Sequence, residues 1–130
     1  MVGVIWFVQL VHYPLMQRVG AEHFSEYELE HQRRTTWVVA PLMLTEAATT
    51  LYLVLTPSTA YNSTVPWVAA ALLALVWAST FLLQVPCHER LAKGYDRRIA
   101  QTLVRTNWVR TVAWSLRGGL AITMAIPVLP

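Results

Sequence analysis

The chain has a single cysteine, Cys87, among its 130 residues. An intrachain disulfide and any cysteine-based zinc knuckle are thereby excluded. Charge is scarce as well. With 13% charged against 55% hydrophobic residues and a mean hydropathy of +0.42, there is too little polar surface to cover a soluble domain of this size. No nucleophile triad, phosphate-cradling glycine loop, dinucleotide fingerprint or pair of catalytic carboxylates occurs, which argues against hydrolases and nucleotide enzymes. The net charge of +3 is not the footprint of a nucleic-acid protein. Its basic residues are interleaved with Glu22, Glu26, Glu28, Glu30, Glu89 and Asp96 rather than gathered in a stripe, so no nucleic-acid partner is expected.

What the chain does have is four apolar stretches, Val2–Val19, Trp37–Leu55, Val65–Cys87 and Trp108–Leu129. Each is about long enough to cross a ~30 Å hydrocarbon core at 1.5 Å rise per residue. All ten Lys and Arg residues lie between Arg18 and Arg34 or between Arg90 and Arg117. The expectation is one multi-pass membrane domain over residues 1–130, with the lipid bilayer as its partner. By the positive-inside bias, Gly20–Thr36 and His88–Asn107 face the cytoplasm, and the Thr56–Val65 loop and both termini face outward. The first stretch lacks a basic n-region and a small-residue cleavage site and carries Gln9, His12 and Arg18, so it reads as a span rather than a signal peptide.

The halves repeat one another. Gln9-Leu10-Val11-His12 has a counterpart in Gln84-Val85-Pro86-Cys87-His88, and Arg34-Thr35-Thr36-Trp37-Val38 in Arg105-Thr106-Asn107-Trp108-Val109. The expected fold is all-α: an integral membrane four-helix bundle built from two parallel-repeat helical hairpins. The same offset sets Glu46 opposite Arg117 at matched depth, where each has reason to seek a partner, and an intramembrane ion pair between them, or contact through a shared polar partner, is expected.

Polar and aromatic residues recur at helical spacing. Asn107, Arg110, Trp114 and Arg117 form one stripe, Ile5, Gln9, His12 and Met16 a second, and Trp77, Phe81, Gln84 and His88 a third. Polar groups set among aromatics within lipid suggest a pocket as much as packing. The candidate binding residues are therefore Gln9, Gln84, Asn107, Arg110, Trp77, Phe81 and Trp114, lining a cavity in the cytoplasmic half. His12 and His88 are the candidate proton carriers, because imidazole suits acid–base work near neutral pH. The same two histidines are candidates for haem ligation, and His12, His31, His88 and Glu89 for a non-haem metal, although no ligand spacing supports the latter. His23 reads as solvated; His31 caps the second helix or reaches the mouth of the bundle. Pro14 and Pro86 each remove a backbone donor beside a Gln and a His, so kinks are expected there.

Gln84-Val85-Pro86 followed by Glu89-Arg90-Leu91, and then Thr106-Asn107-Trp108-Val109-Arg110-Thr111, resemble the signature of the anthrone-oxygenase-like membrane proteins. That pattern is Asn-Val-Pro, a following Asn, an acidic residue, Arg and Leu, then an Asn-x-x-Arg-Thr segment. Here Gln84 stands for the first Asn and His88 for the second. The resemblance covers roughly residues 79–117. It implies a four-helix membrane bundle and, for some members, oxidation of polycyclic aromatic phenols, with Gln84, Arg90, Asn107 and Arg110 the matching positions. Two function classes follow: a small oxidoreductase or oxygenase acting on a hydrophobic aromatic or quinone-like substrate, and a non-catalytic subunit or ligand- or haem-binding protein of a larger complex.

Overall fold

Apolar stretches this long form helices because a backbone without competing polar side chains satisfies its own hydrogen bonds best that way. A computed structural model describes residues 1–59 and 61–126. Among them the chain forms four helices and no strand: α1 (Val2–Met16), α2 (Phe24–Leu55), α3 (Thr64–Leu91) and α4 (Arg97–Ala125). They alternate in direction. Tyr13, late in α1, meets His88, late in α3, whereas Trp6, early in α1, donates to Ser115, late in α4. Helix α4 is central and packs on α1 and α3, while α2 lies against α3.

The helices do not end where hydropathy changes. Helix α2 starts at Phe24 rather than at Trp37, and α4 at Arg97 rather than at Trp108, so most of the two expected basic loops is helical. Glu, Gln and Arg are good helix formers. Glu30 accepts from Arg33 at 2.8 Å and from Arg34 at 2.5 Å along the α2 surface, which supports the helix and holds the Glu30 carboxyl down to about 2. Asp96 caps α4 by accepting from the backbone N–H groups of Arg98 and Ile99 at 2.7 and 3.2 Å. Gly94, with φ +152°, makes the turn before it, a conformation that a side chain would strain. Helix α1 stops at Met16, short of the expected Val19. The expected fourth span reaches residue 129, of which 127–129 lie outside the described residues.

Both prolines act just upstream of themselves. Val8–His12 and Thr80–Gln84 are π-helical turns, closed by Tyr13 N–H to the Val8 carbonyl and Val85 N–H to the Thr80 carbonyl. Each lies immediately before the residue that precedes Pro14 or Pro86. A proline cannot donate, so the turn before it widens and its carbonyls find other donors. The matched wide turns align His12 with Gln84, most of a turn away from the Gln9–Gln84 register that the sequence suggests.

Two apolar clusters hold the bundle. Tyr13, Met16, Phe24, Leu91, Ala100 and Leu103 form one at the end that carries the two short connections, and Ile5, Met43, Val76, Ala113 and Trp114 form the other farther along. Much of the outer surface is apolar: Trp37, Leu55 and Leu82 are each more than 70% exposed. Hydroxyls on the same surface are satisfied internally, since Thr45, Thr49 and Thr102 donate to carbonyls one turn earlier.

Candidate functional site

Between the clusters lies a cavity of about 360 Å³ bounded by all four helices. Most of its lining is apolar: Ile5 and Val8 from α1, Val39 and Met43 from α2, Trp77 and Phe81 from α3. The polar groups converge at one end of it, where Tyr13, Gln84, His88 and Arg110 meet. On the side between α2 and α3 the lining residues Leu44, Phe81 and Val85 are themselves exposed, so the cavity opens through the flank of the bundle.

Arg110 is the unusual group. It is 8% exposed, its Nε is buried with no hydrogen-bond partner, and it forms no salt bridge among the described residues. Its guanidinium rests 5.2 Å from the Trp114 ring centroid, a contact worth about 2 kcal/mol when desolvated. That falls short of the several kcal/mol that desolvating a cation costs. The cavity therefore holds an uncompensated positive charge.

A hydrogen-bonded chain runs beside it. The Glu28 carboxylate, fully buried, accepts from His88 Nδ1 at 2.5 Å and from Gln32 Nε2 at 3.2 Å. Nε2 of His88 stands 3.3 Å from the Tyr13 hydroxyl, which lies 3.2 Å from Gln84 Oε1; Gln84 Nε2 in turn donates to Thr106 Oγ1 at 2.8 Å. The single Tyr13 proton has two acceptors within reach. Pointed at His88 it suits a neutral imidazole; pointed at Gln84 it leaves the phenol oxygen free to accept from a doubly protonated one.

The expected site residues divide into three groups. Gln84, His88, Arg110, Trp77 and Phe81 border the cavity. Gln9 and Asn107 do not. They clamp α1 to α4: Asn107 Nδ2 donates to Gln9 Oε1 at 2.8 Å, Thr111 Oγ1 to the same oxygen at 3.3 Å, and Gln9 Nε2 to the Val104 carbonyl at 3.3 Å. A polar residue on an inward stripe can satisfy a neighbouring helix just as well as it can line a pocket. Trp114 sits under Arg110 rather than at the cavity surface. Arg90, a position that the resemblance marked, is exposed and away from this site.

The expected Glu46–Arg117 ion pair is not formed. Glu46 Oε2 accepts from Trp114 Nε1 at 2.7 Å and its other oxygen lies 3.8 Å from the Met1 amino group. Arg117 donates to the Ala69 carbonyl and to Thr50 Oγ1, and Thr50 Oγ1 in turn donates to the backbone carbonyl of Glu46, so the two residues share Thr50 without their charged groups meeting. The two charges share a smaller pocket near the opposite end of the bundle, and each bonds to closer groups, although Nε of Arg117 is buried without a partner. Equal depth brings residues to one level, but their angular positions decide whether they touch.

His12 lies outside the main cavity. Its ring stacks on His31 at 4.3 Å between centroids, and His31 is 5.4 Å from His88. The residues do not fit a haem between His12 and His88: His31 fills the space separating them, and both nitrogens of His88 are already engaged. Nor do they fit the four-residue metal set. Glu89 is exposed, and no group of three or more His, Cys, Asp or Glu among the described residues is arranged to hold an ion.

Tyr13 and Glu28 are the residues that sequence reasoning missed. Both left a signal. Phe24, Glu28, Thr35, Val39 and Met43 continue one face of a single helix, and Tyr13 stands one turn from both Gln9 and Met16.

His31, on the charged extension of α2, is pushed down to about 4, first by burial and then by the neighbouring His12 and His88. Its ordinary value is near 6.5, so between there and about 4 the unfolded chain binds more protons than the folded one. Stability should therefore fall as pH drops through this window. A lower melting temperature at pH 4.5 than at 7.5, with a shallower fall in His31→Gln, is the expected result.

Comparison with family models, curated proteins and solved structures finds no match to this chain.

Proposed function

We propose that this chain is an integral membrane protein that takes a hydrophobic aromatic or quinone-like molecule from the bilayer into its central cavity and exchanges a proton with it. Two helices, Phe24–Leu55 and Thr64–Leu91, are long and apolar enough to cross a membrane. The apolar outer surface and the internally bonded threonines support burial of the apolar parts of the four helices in lipid, with the charged start of α2 up to Thr36 outside it. In this reading the ends carrying the 17–23 and 92–96 connections are cytoplasmic, and the two hairpins are copies of one ancestral unit, each with a proline-linked wide turn. In a Cys87→Ala background, an impermeant thiol reagent added from outside should label Asn62→Cys and spare Lys93→Cys; the reverse pattern would invert the topology.

The observation that carries the functional reading is the pairing of Arg110 with the Glu28–His88–Tyr13 chain across an apolar space. With a neutral imidazole, the buried carboxylate and the buried guanidinium are opposite charges held apart. One proton passing from an acidic ligand hydroxyl toward His88 converts them into two contact pairs, imidazolium with Glu28 and ligand oxyanion with Arg110. Both charges gain a close partner in a medium where Coulomb terms are large. Trp77 and Phe81, 5.5 Å apart, supply ring faces for an aromatic body. The flank opening between α2 and α3 admits such a molecule directly from lipid. The resemblance to the anthrone-oxygenase-like proteins extends the proposal to oxidation of an aromatic phenol, with dioxygen as electron acceptor and the chain supplying the base and the anion partner.

Binding of 2-hydroxy-1,4-naphthoquinone, whose hydroxyl is acidic, to the protein in nanodiscs tests the site. Saturable quenching of tryptophan fluorescence with one molecule per chain is expected. Filling the cavity with Ala40→Trp should abolish saturation, and Arg110→Leu should weaken binding about tenfold, equivalent to roughly 1.4 kcal/mol. Linear, non-saturable quenching that is the same in Ala40→Trp would reduce the effect to lipid partitioning and overturn the reading.

A further inference from the structure

The cavity has a second neighbour, an open vestibule toward the proposed cytoplasmic end, bordered by His12, Tyr27, His31, Glu26, Glu30 and Arg34. His31 borders both spaces. On one side of its ring is the His12 imidazole, on another the His88 imidazole, at centroid distances of 4.3 and 5.4 Å.

We propose that His31 and His12 form a proton path linking the vestibule to the Glu28–His88–Tyr13 chain at the cavity. The inference rests on the reading of the cavity as a place of proton exchange, and it names how the proton reaches or leaves it.

Two polar atoms along this line are buried without partners: Nε2 of His12 and Oε2 of Glu28. An unpaired buried polar atom costs about 1–3 kcal/mol, and more on a charged group, so a partition built only for packing would be cheaper with apolar side chains. Here ionisable groups occupy it from end to end. Water in the vestibule can protonate His31 or His12, the open oxygen of Glu28 lies next on the same helix as His31, and His88 is bonded to the other oxygen of that carboxylate. His88 takes up a proton at Nε2 from the Tyr13 side as its Nδ1 proton passes to Glu28. In the reverse direction it releases the Nε2 proton toward Tyr13 as Nδ1 takes one from Glu28; the Tyr13 hydroxyl can point either way. Only protons move; no electron is transferred and no heavy-atom bond is made or broken.

Every helix contributes a group that bears on the path. Helix α1 supplies His12 and Tyr13. Helix α2 supplies Glu28 and His31, with Tyr27, Glu26, Glu30 and Arg34 at the vestibule rim and His23 just before it. Helix α3 supplies His88 and the Cys87 thiol beside it, and α4 supplies Arg110. The rim mixes both signs, as an entrance for protons rather than for a particular ion requires. His31 Nδ1 is held at 3.0 Å by Thr35 Oγ1 on its own helix, which fixes the ring between the two spaces.

The test needs no ligand. A caged-proton compound is photolysed in a nanodisc sample, and the Glu28 carboxyl band, identified by its loss in Glu28→Gln, is followed by time-resolved infrared spectroscopy. In the wild type the band should respond promptly. In His31→Phe the response should slow at least tenfold with its final amplitude unchanged, and His12→Phe should slow it as well. Far-UV circular dichroism establishes that each variant is folded; should His31→Phe not fold, His31→Gln and His12→Phe carry the same comparison. Equal rates in the wild type and folded variants would overturn the path, as would a Glu28 carboxyl that never changes protonation between pH 4 and 9. Naphthoquinone binding is measured separately, so a failed path with intact binding rejects this inference alone, and absent binding rejects the cavity reading.

Discussion

Glu28→Leu should destabilise the protein by about 1–3 kcal/mol, because it leaves the Nδ1–H of His88 without its acceptor. Glu28 is fully buried and bonded to His88 at 2.5 Å, and Gln32 would lose one of its two acceptors at the same time, keeping the His88 carbonyl. His88→Leu should cost more, about 3–5 kcal/mol, by stranding the buried carboxylate. The double variant should be more stable than either single one, since two aliphatic side chains of fitting volume need no partner. Unfolding in mixed micelles with increasing sodium dodecyl sulfate, followed by circular dichroism, gives the three values. Strictly additive losses would show that the two groups do not act as a pair.

The second large effect is expected at Trp114. It is 1% exposed in the inner apolar cluster, lies under the Arg110 guanidinium and donates to Glu46. Trp114→Ala opens a cavity and should cost about 3–5 kcal/mol on the scale of large-to-small core substitutions. Trp114→Phe keeps most of the ring and the cation–π contact but removes the N–H, and should cost about 1–2 kcal/mol, as for a lost bond to a charged acceptor. The same unfolding assay separates them. A Trp114→Ala loss no larger than that of Trp114→Phe would mean that the Glu46 bond, which both variants lack, and not packing, is the main contribution. Naphthoquinone affinity should fall with Trp114→Ala, because Arg110 loses the ring that positions it.

Some of the site could be read before any fold was known. The polar stripe on α4 put Asn107, Arg110 and Trp114 on one face, and all three are buried. Gln84 and His88 likewise share a face of α3 and meet at the cavity. A 3.6-residue period is a local property, so it survives whatever the neighbours are. What each stripe touches is not local. Gln9 and Asn107 found each other, leaving the cavity to Tyr13, Gln84, His88 and Arg110. Glu28 stood in a charged segment that hydropathy assigns to a loop, although its helix propensity and spacing belong to α2.

By itself the sequence determined four helices, their apolar outer faces and the polar residues that turn inward, because lengths, periodicity and the cost of bare polar groups in an apolar medium act along the chain. Tertiary structure alone decided which inward groups pair. It set Glu28 on His88, Glu46 on Trp114 and Arg117 on a backbone carbonyl, and left Arg110 facing open space. Those outcomes depend on the rotation and separation of packed helices. Side chains from all four contribute to them, and no single segment encodes the angle at which it meets another.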